Sequence, residues 1–280
     1  MISGGTGFIG RTLSSSFSEQ QWSVESLSRN DFTDAGRLAG KIDGVDAVIH
    51  LAGAPIIKRW TTAYRREIYS SRVFTTQQLA AAITRCPNRP RIFISTSASG
   101  AVRQNTTAGE DGAERADGFI GDLCRDWELA ALEVKDATRV VVCRLSVVLD
   151  PGEGALHQML WAYRSGIAGP IGSGEQLFSW IHRDDLVKAY HYIIQNESIS
   201  GVVHMASPGI VTNSEYTRAL GRVLRRPVIL PVPVFFLRMV FGKAASVISE
   251  GQGIVPERLV KSGFQFQFPG VQDALRDLLS

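Results

Sequence analysis

The chain carries little that would tie it to a metal, a membrane or a nucleic acid. Its three cysteines, Cys86, Cys124 and Cys143, lie far apart with no metal-ligand spacing around them. An odd number of isolated thiols reads as reduced and intracellular. His157, His191 and His204 also stand alone, so no metal site is expected. The net charge is only +3, and no run of Lys or Arg is long enough to track a phosphate backbone, so no nucleic-acid partner is expected. The start of the chain shows neither the basic nor the apolar segment of a signal peptide. The most apolar late stretch, VILPVPVFFLRMVFG, is broken by Pro231 and Pro233 and carries Arg238. It falls short of the roughly 20 apolar residues that span a bilayer. These absences lead to the expectation of a soluble, cytoplasmic protein without a membrane partner, organellar if its source is eukaryotic, although no transit peptide is visible.

What is present is an alternation of two textures. The segments 24–28, 47–53, 91–97 and 139–149 are apolar and rich in Val and Ile, as strands buried on both faces are. Between them, 8–19, 61–84 and 119–135 show helical spacing of Leu, Ala, Ile and Val. Repeated β–α–β units predict an α/β fold with a Rossmann-type, doubly wound parallel sheet. After Pro151 the texture becomes loop-rich, and 201–207 reads as a strand returning to the sheet. The expected division is a nucleotide-binding domain over 1–150, rejoined by 185–207, and a small C-terminal α/β lobe from 151–184 and 208–280.

The opening MISGGTGFIG spaces Gly4, Gly7 and Gly10 as G-x-x-G-x-x-G. One glycine lets a strand turn, one lets backbone approach a pyrophosphate, and one lets the following helix pack closely. The helix N-terminus then offers free N–H groups to phosphate, and Thr6 is expected to help satisfy them. At the end of the second strand stand Ser28 and Arg29, where folds selective for NAD place an acid. A guanidinium suits the 2′-phosphate of NADP. HLAG (50–53) ends another strand in small residues, Ala52 and Gly53, over which a cofactor could pass.

GGTGFIG, HLAG and IFISTSA together resemble the extended short-chain dehydrogenase/reductase superfamily. LAGAPI, KRW, SRVFTT, LCRDWELAA, GEGALHQML, GPIGSGEQLFSWIHRDDL, VTNSEYTRAL and FQFPGVQDALRDLL resemble, more narrowly, its atypical "epimerase family" group. That group includes bacterial proteins once labelled cell-division inhibitors and an organellar branch in eukaryotes. It also carries a C-terminal domain of unknown function, matched here by roughly 225–275. The resemblance implies an NADP(H)-binding Rossmann domain. Gly4, Thr6, Gly7, Phe8, Ile9 and Gly10 would hold the pyrophosphate, and Ser28 and Arg29 the 2′-phosphate. Leu51 and Ala52 would lie along the cofactor, with Glu67 and Arg72 near it.

Two features depart from that group. The first strand is cut to Met1, Ile2 and Ser3, a loss that should be costly in mid-sheet. GAV (100–102) replaces a tyrosine pair. The superfamily also moves its proton with a tyrosine placed four residues before a lysine. None of Tyr64, Tyr69, Tyr163, Tyr190, Tyr192 and Tyr216 has that lysine, and Ile120 and Cys124 occupy the two positions. Ser97 stands where the superfamily has its catalytic serine, and either bonds a substrate carbonyl or caps the strand end. His182 is the other candidate proton carrier, with Asp184 or Asp185 expected to cap the helix that follows. His50 reads as a packed core residue. Phe178 stands where sugar-nucleotide epimerases carry an arginine, so a diphosphate clamp is absent. Trp60, Phe178 and Trp180 suggest an apolar substrate pocket, with Arg59 as a cation for an anionic substrate. The resulting expectation is an atypical NADP(H)-dependent oxidoreductase or epimerase acting on an unidentified small molecule. The alternative is a non-catalytic NADP-sensing or scaffold protein linked to cell or organelle division, with an unspecified protein partner.

Overall fold

The computed structural model describes every residue from Met1 to Ser280. In chain order the strands are β1 (Ile2–Ser3), β2 (Ser26–Leu27), β3 (Ala47–His50), β4 (Ile92–Ala98), β5 (Thr107–Ala108), β6 (Arg139–Leu145), β7 (Val147–Leu149), β8 (Leu177–Phe178), β9 (Trp180–His182), β10 (Gly201–Met205), β11 (Val211–Thr212) and β12 (Gly253–Ile254). The helices are α1 (Phe8–Glu19), α2 (Ala35–Ile42), α3 (Thr62–Tyr69), α4 (Thr75–Arg85), α5 (Gly118–Leu132), α6 (Gly154–Arg164), α7 (Arg183–Gln195), α8 (Asn213–Leu224), α9 (Val234–Phe241), α10 (Ser246–Ser249), α11 (Glu257–Lys261) and α12 (Val271–Leu279).

Six parallel strands form the main sheet in the order β2-β1-β3-β4-β6-β10. Adjacent residues point to opposite faces, so both faces are apolar. Ile49, Ile94 and Val141 pack under α1 and α7 with Leu13, Phe17, Leu186 and Tyr190. Val48, Phe93, Val140 and Val142 pack against Leu38, Leu79, Ile83 and Ala131 of α2, α4 and α5. The expected doubly wound α/β architecture is therefore present.

The short β1 keeps its ladder on both sides. Ile2 N–H donates to Glu25 O at 2.7 Å, Ile49 N–H donates to Met1 O at 2.9 Å, and the terminal ammonium donates to Ala47 O at 2.9 Å. Below it, at the N-terminal end of the sheet, lies a cavity of about 1000 Å³ lined in part by Ile2, Phe17, Trp22 and Ile194. The expected strand 139–149 is broken at Ser146, whose N–H and hydroxyl both donate to Met205 O, at 3.2 and 2.8 Å. Beyond the break, β7 leaves the main sheet and pairs with β9. The expected helix 61–84 is interrupted by a π-helical turn, Ser70–Phe74.

The C-terminal lobe has its own core, built from Leu156, Leu160, Trp180, Tyr216, Leu220 and Leu275 among others. The tail does not stay within it. Leu259 and Phe264 join the core beneath the main sheet, and β12 pairs with β5. The lobe is thus strapped across the half that holds the main sheet rather than appended to it.

Candidate functional site

Strand order reverses at β1, and in such sheets the crevice above the C-terminal ends of the strands at that switch point, here β1 and β3, is the usual ligand site. The glycine loop fills the floor of this crevice. Gly4 has φ +80°, and a Cβ there would lie 2.8 Å from Ala52 N. The turn therefore needs glycine twice, for its conformation and for its contact with the end of β3. A Cβ on Gly10 would meet Gly4 O at 2.3 Å, so this glycine seats α1 on the loop. Gly7 is exposed, and a Cβ there would touch only Gly4 O, at 3.3 Å. It is the glycine that leaves room for a ligand.

The first turn of α1 has no side-chain cap and no acidic residue. The N–H groups of Phe8, Ile9 and Gly10 are free of such partners and carry the positive end of the helix dipole. Thr6 does not cap the helix, contrary to expectation: it is its carbonyl that is engaged, by the Arg11 guanidinium. Arg11 also pairs with Glu153 at 2.5 Å. A half-exposed cation thus stands beside the same turn.

At the end of β2, the Ser28 N–H and hydroxyl donate to Asp31 Oδ2 at 2.7 and 2.8 Å. Arg37 and Lys41 pair with Asp31 Oδ1 at 3.1 and 2.9 Å. The Lys41 contact and the Ser28 hydrogen bonds hold this carboxyl well below the usual carboxylate range. The buried Asp31 is consumed by these partners. Arg29 beside it is exposed and has no ion-pair or hydrogen-bond partner. Sequence reading missed Asp31, although the S-x-x-D spacing of a capping box was there to find it.

Leu51 and Ala52, just past β3, are half-buried, and Gly53 faces Arg72: a Cβ would lie 2.9 Å from the guanidinium carbon. Arg72 sits in the π-helical turn. It donates to Ala54 O at 2.9 Å and Ile68 O at 3.3 Å, and lies over the Trp127 ring at 5.4 Å. It is half-buried with no carboxylate partner, and burial lowers its pKa. Glu67 is exposed, and its carboxylate makes no ion pair with Arg72 or any other group. His50 is indeed a core residue. It bonds Ser3 Oγ at 2.9 Å and Thr75 Oγ1 at 3.2 Å, and burial holds its pKa at about 3.

The expected catalytic positions look different. Ile120, Cys124, Trp127 and Glu128 share one face of α5 by their spacing. Ile120 packs on Gly100, where a Cβ would lie 2.5 Å from Ile120 Cγ2. Cys124 is buried, and desolvation, then the Glu128 charge, push its thiol up to about 12. Ser97 is buried and donates to Glu128 Oε1 at 2.7 Å. Arg144 grips the same carboxylate with two bonds of 2.8 Å. Ser97 is therefore neither a free donor toward a substrate nor a strand-end cap. Glu128 and Arg144 were missed in the sequence, although a lone arginine inside VVVCRLSVVL was a signal, since a buried charge requires a partner.

Three further expectations are corrected. His182 is fully buried and stacks on Phe268 at 4.0 Å, between β9 and the tail. Its Nδ1 accepts from Asp184 N–H at 3.1 Å, so the histidine itself caps α7, and its Nε2 lies 3.3 Å from Asp277. Asp185 instead accepts from Gln267 and Phe268 N–H groups and ties down the tail. Trp180 is fully buried in the lobe core and donates to Gly209 O at 2.8 Å, so it lines no pocket. Phe178 packs on Tyr216 at 4.3 Å, while Trp60 packs on Phe119 at 5.2 Å in a different cluster. The two do not form one pocket wall. Arg59 remains exposed, next to Gly242.

A parallel sheet with a glycine loop and an uncapped helix N-terminus at its switch point defines a dinucleotide-binding fold of the short-chain dehydrogenase/reductase type. The chain belongs to the NAD dependent epimerase/dehydratase family, whose model matches residues 1–206, and a domain of unknown function (DUF1731) matches residues 232–278. It is 35% identical to the bovine epimerase family protein SDR39U1 over 296 aligned residues, covering 100% of this chain and 99% of the relative. It is 34% identical to the chloroplastic homolog of Arabidopsis thaliana, covering 99% of this chain and 86% of the relative. A crystal structure of the human epimerase family protein SDR39U1, solved with NADPH, superposes with a TM-score of 0.92 at 33% identity, covering 99% of this chain and 97% of that one.

Proposed function

We propose that this protein binds NADP(H) and reduces a small carbonyl compound, or oxidises the corresponding alcohol, without a tyrosine–lysine proton relay. The observation that carries the binding half is the uncapped start of α1 beside the exposed Gly7, with the unpaired Arg29 at the end of β2. Phe8, Ile9 and Gly10 would donate to the pyrophosphate, and Arg29 would hold the 2′-phosphate, the Ser28 donors being committed to Asp31. The human relative solved with NADPH supports this choice of cofactor.

Bound NADPH supplies a hydride to a carbonyl carbon. The group we assign to the carbonyl oxygen is Arg72, a half-buried cation against Gly53 with no carboxylate to satisfy it. The proton that completes the alcohol comes from solvent. Ile120 has none to give, and the Cys124 thiol and the Ser97 hydroxyl are both buried, the latter committed to Glu128. A quinone, which accepts hydride without a positioned acid, fits this site better than a simple ketone.

The test is NADPH consumption at 340 nm against aldehydes, ketones and quinones. Turnover that falls in Arg72→Met and survives in Ser97→Ala supports the proposal. Tight NADPH binding with no turnover over the whole panel overturns its catalytic half. It would favour a non-catalytic NADP(H)-responsive protein, a reading supported by the apolar filling at Ile120 and Cys124.

A further inference from the structure

Between Glu215 and Glu250 the chain contains no acidic residue but six cations: Arg218, Arg222, Arg225, Arg226, Arg238 and Lys243. None of the six has a carboxylate partner in the folded chain, whereas cations elsewhere pair repeatedly. Arg218, Arg222, Arg225 and Arg226 line a groove of about 780 Å³. Its one acid, Glu215, is already held by the Thr212 N–H at 2.7 Å.

The same segment holds several of the most exposed apolar side chains of the molecule. Ile229 is 77% exposed, Met239 63% and Phe235 61%, and no residue of α9 is buried. The strip extends beyond this segment. Residues 167–172 run beside 229–234, with Val232 N–H donating to Pro170 O at 2.8 Å and Gly172 N–H to Val232 O at 3.0 Å. This pairing brings alongside 229–234 the segment next in the chain to helix α6, which carries Trp161. Both Trp161 and Ile167 are more than half exposed. Arg225, left-handed at φ 53°, ends α8 and turns the chain from the arginine groove into the apolar strip.

We infer that this face docks on an anionic lipid surface, with the apolar strip entering the headgroup boundary and the arginine groove meeting the phosphates. Apolar insertion combined with unpaired cations is the pairing of signals that holds a protein on such a surface. A second copy suits the face poorly, because a two-fold contact would set six unpaired cations against six. The expectation of no membrane partner from the sequence considered spanning segments. No helix here is long and apolar enough to cross a membrane, and docking requires none.

Co-sedimentation of the full chain with vesicles tests this. Phosphatidylcholine vesicles with roughly 30% phosphatidylglycerol should bind it at least about tenfold better than phosphatidylcholine alone. The double variant Arg225→Gln/Arg226→Gln should weaken binding about fivefold per arginine. Phe235→Glu/Phe236→Glu should remove it. Both variants should keep the wild-type melting curve and NADPH affinity, which separates this inference from the cofactor proposal. No preference for the anionic vesicles overturns it. So does a dimer in sedimentation velocity that Phe235→Glu/Phe236→Glu dissolves, since the strip would then belong to a second copy.

Discussion

The two ends of the crevice were built to different rules. The cofactor end keeps capacity open: Arg29 faces outward unpaired and the backbone donors at the start of α1 are uncapped, while Asp31 and His50 beside them are satisfied. At the end where a proton relay would stand, the buried carboxylate and guanidinium are turned inward and paired. Ser97, Glu128 and Arg144 bond one another, and Ile120 and Cys124 pack as core. A site meant to receive a ligand leaves hydrogen-bonding capacity open, and a structural network closes it. By that measure the glycine-loop end is open to a dinucleotide, and the Glu128–Arg144 cluster is closed on itself.

The sharpest way to break this contrast is Glu128→Ala. It would leave Arg144 buried without its counter-charge and should cost about 3–5 kcal/mol in urea unfolding. A near-neutral result would mean that the cluster is open to solvent and not structural. Next in size, Gly10→Val should abolish NADPH binding, since its Cβ would fall 2.3 Å from Gly4 O, with a stability loss of about 1–3 kcal/mol from overpacking. Arg29→Ala should weaken NADPH by about 1.5–3 kcal/mol, roughly ten- to a hundredfold, and leave NADH unchanged, which calorimetric titration would measure. Equal losses for both cofactors would remove the 2′-phosphate role from Arg29.

A smaller effect probes both ends at once. His50 at the cofactor end and His204 beside Arg144 are buried neutral, with pKa values pulled down to about 3 and about 4 by desolvation. The unfolded chain takes up their protons near pH 6.5, well before the folded one does. Stability is therefore fully present above about pH 6.5 and falls progressively toward pH 4. Urea midpoints measured from pH 7.5 down to pH 4.5 should show this slope, and His204→Asn should flatten it. An unchanged slope in that variant would shift the acid sensitivity to other groups.

Much of the fold was readable because it is periodic. Val48 and Ile49, or Phe93 and Ile94, face opposite ways in a strand whatever surrounds them, and the glycine spacing of the loop reflects backbone geometry that only glycine meets. The corrections concern pairs far apart in the chain. His182 looked available until Phe268 and Asp277 covered it, and Trp180 looked like a pocket wall until the lobe core closed around it. Ser97 looked like a catalyst because its partner Glu128 lies 31 residues away on α5.

From its order of residues alone, then, this chain specifies a parallel α/β sheet, the turn that opens α1, and the missing tyrosine–lysine pair, because each depends on neighbours within a few positions. The three-dimensional fold alone decides which of its polar groups remain free. Burial and pairing are properties of the space between elements, and Arg29 and Arg144, alike as residues, end up exposed in one case and locked to Glu128 in the other.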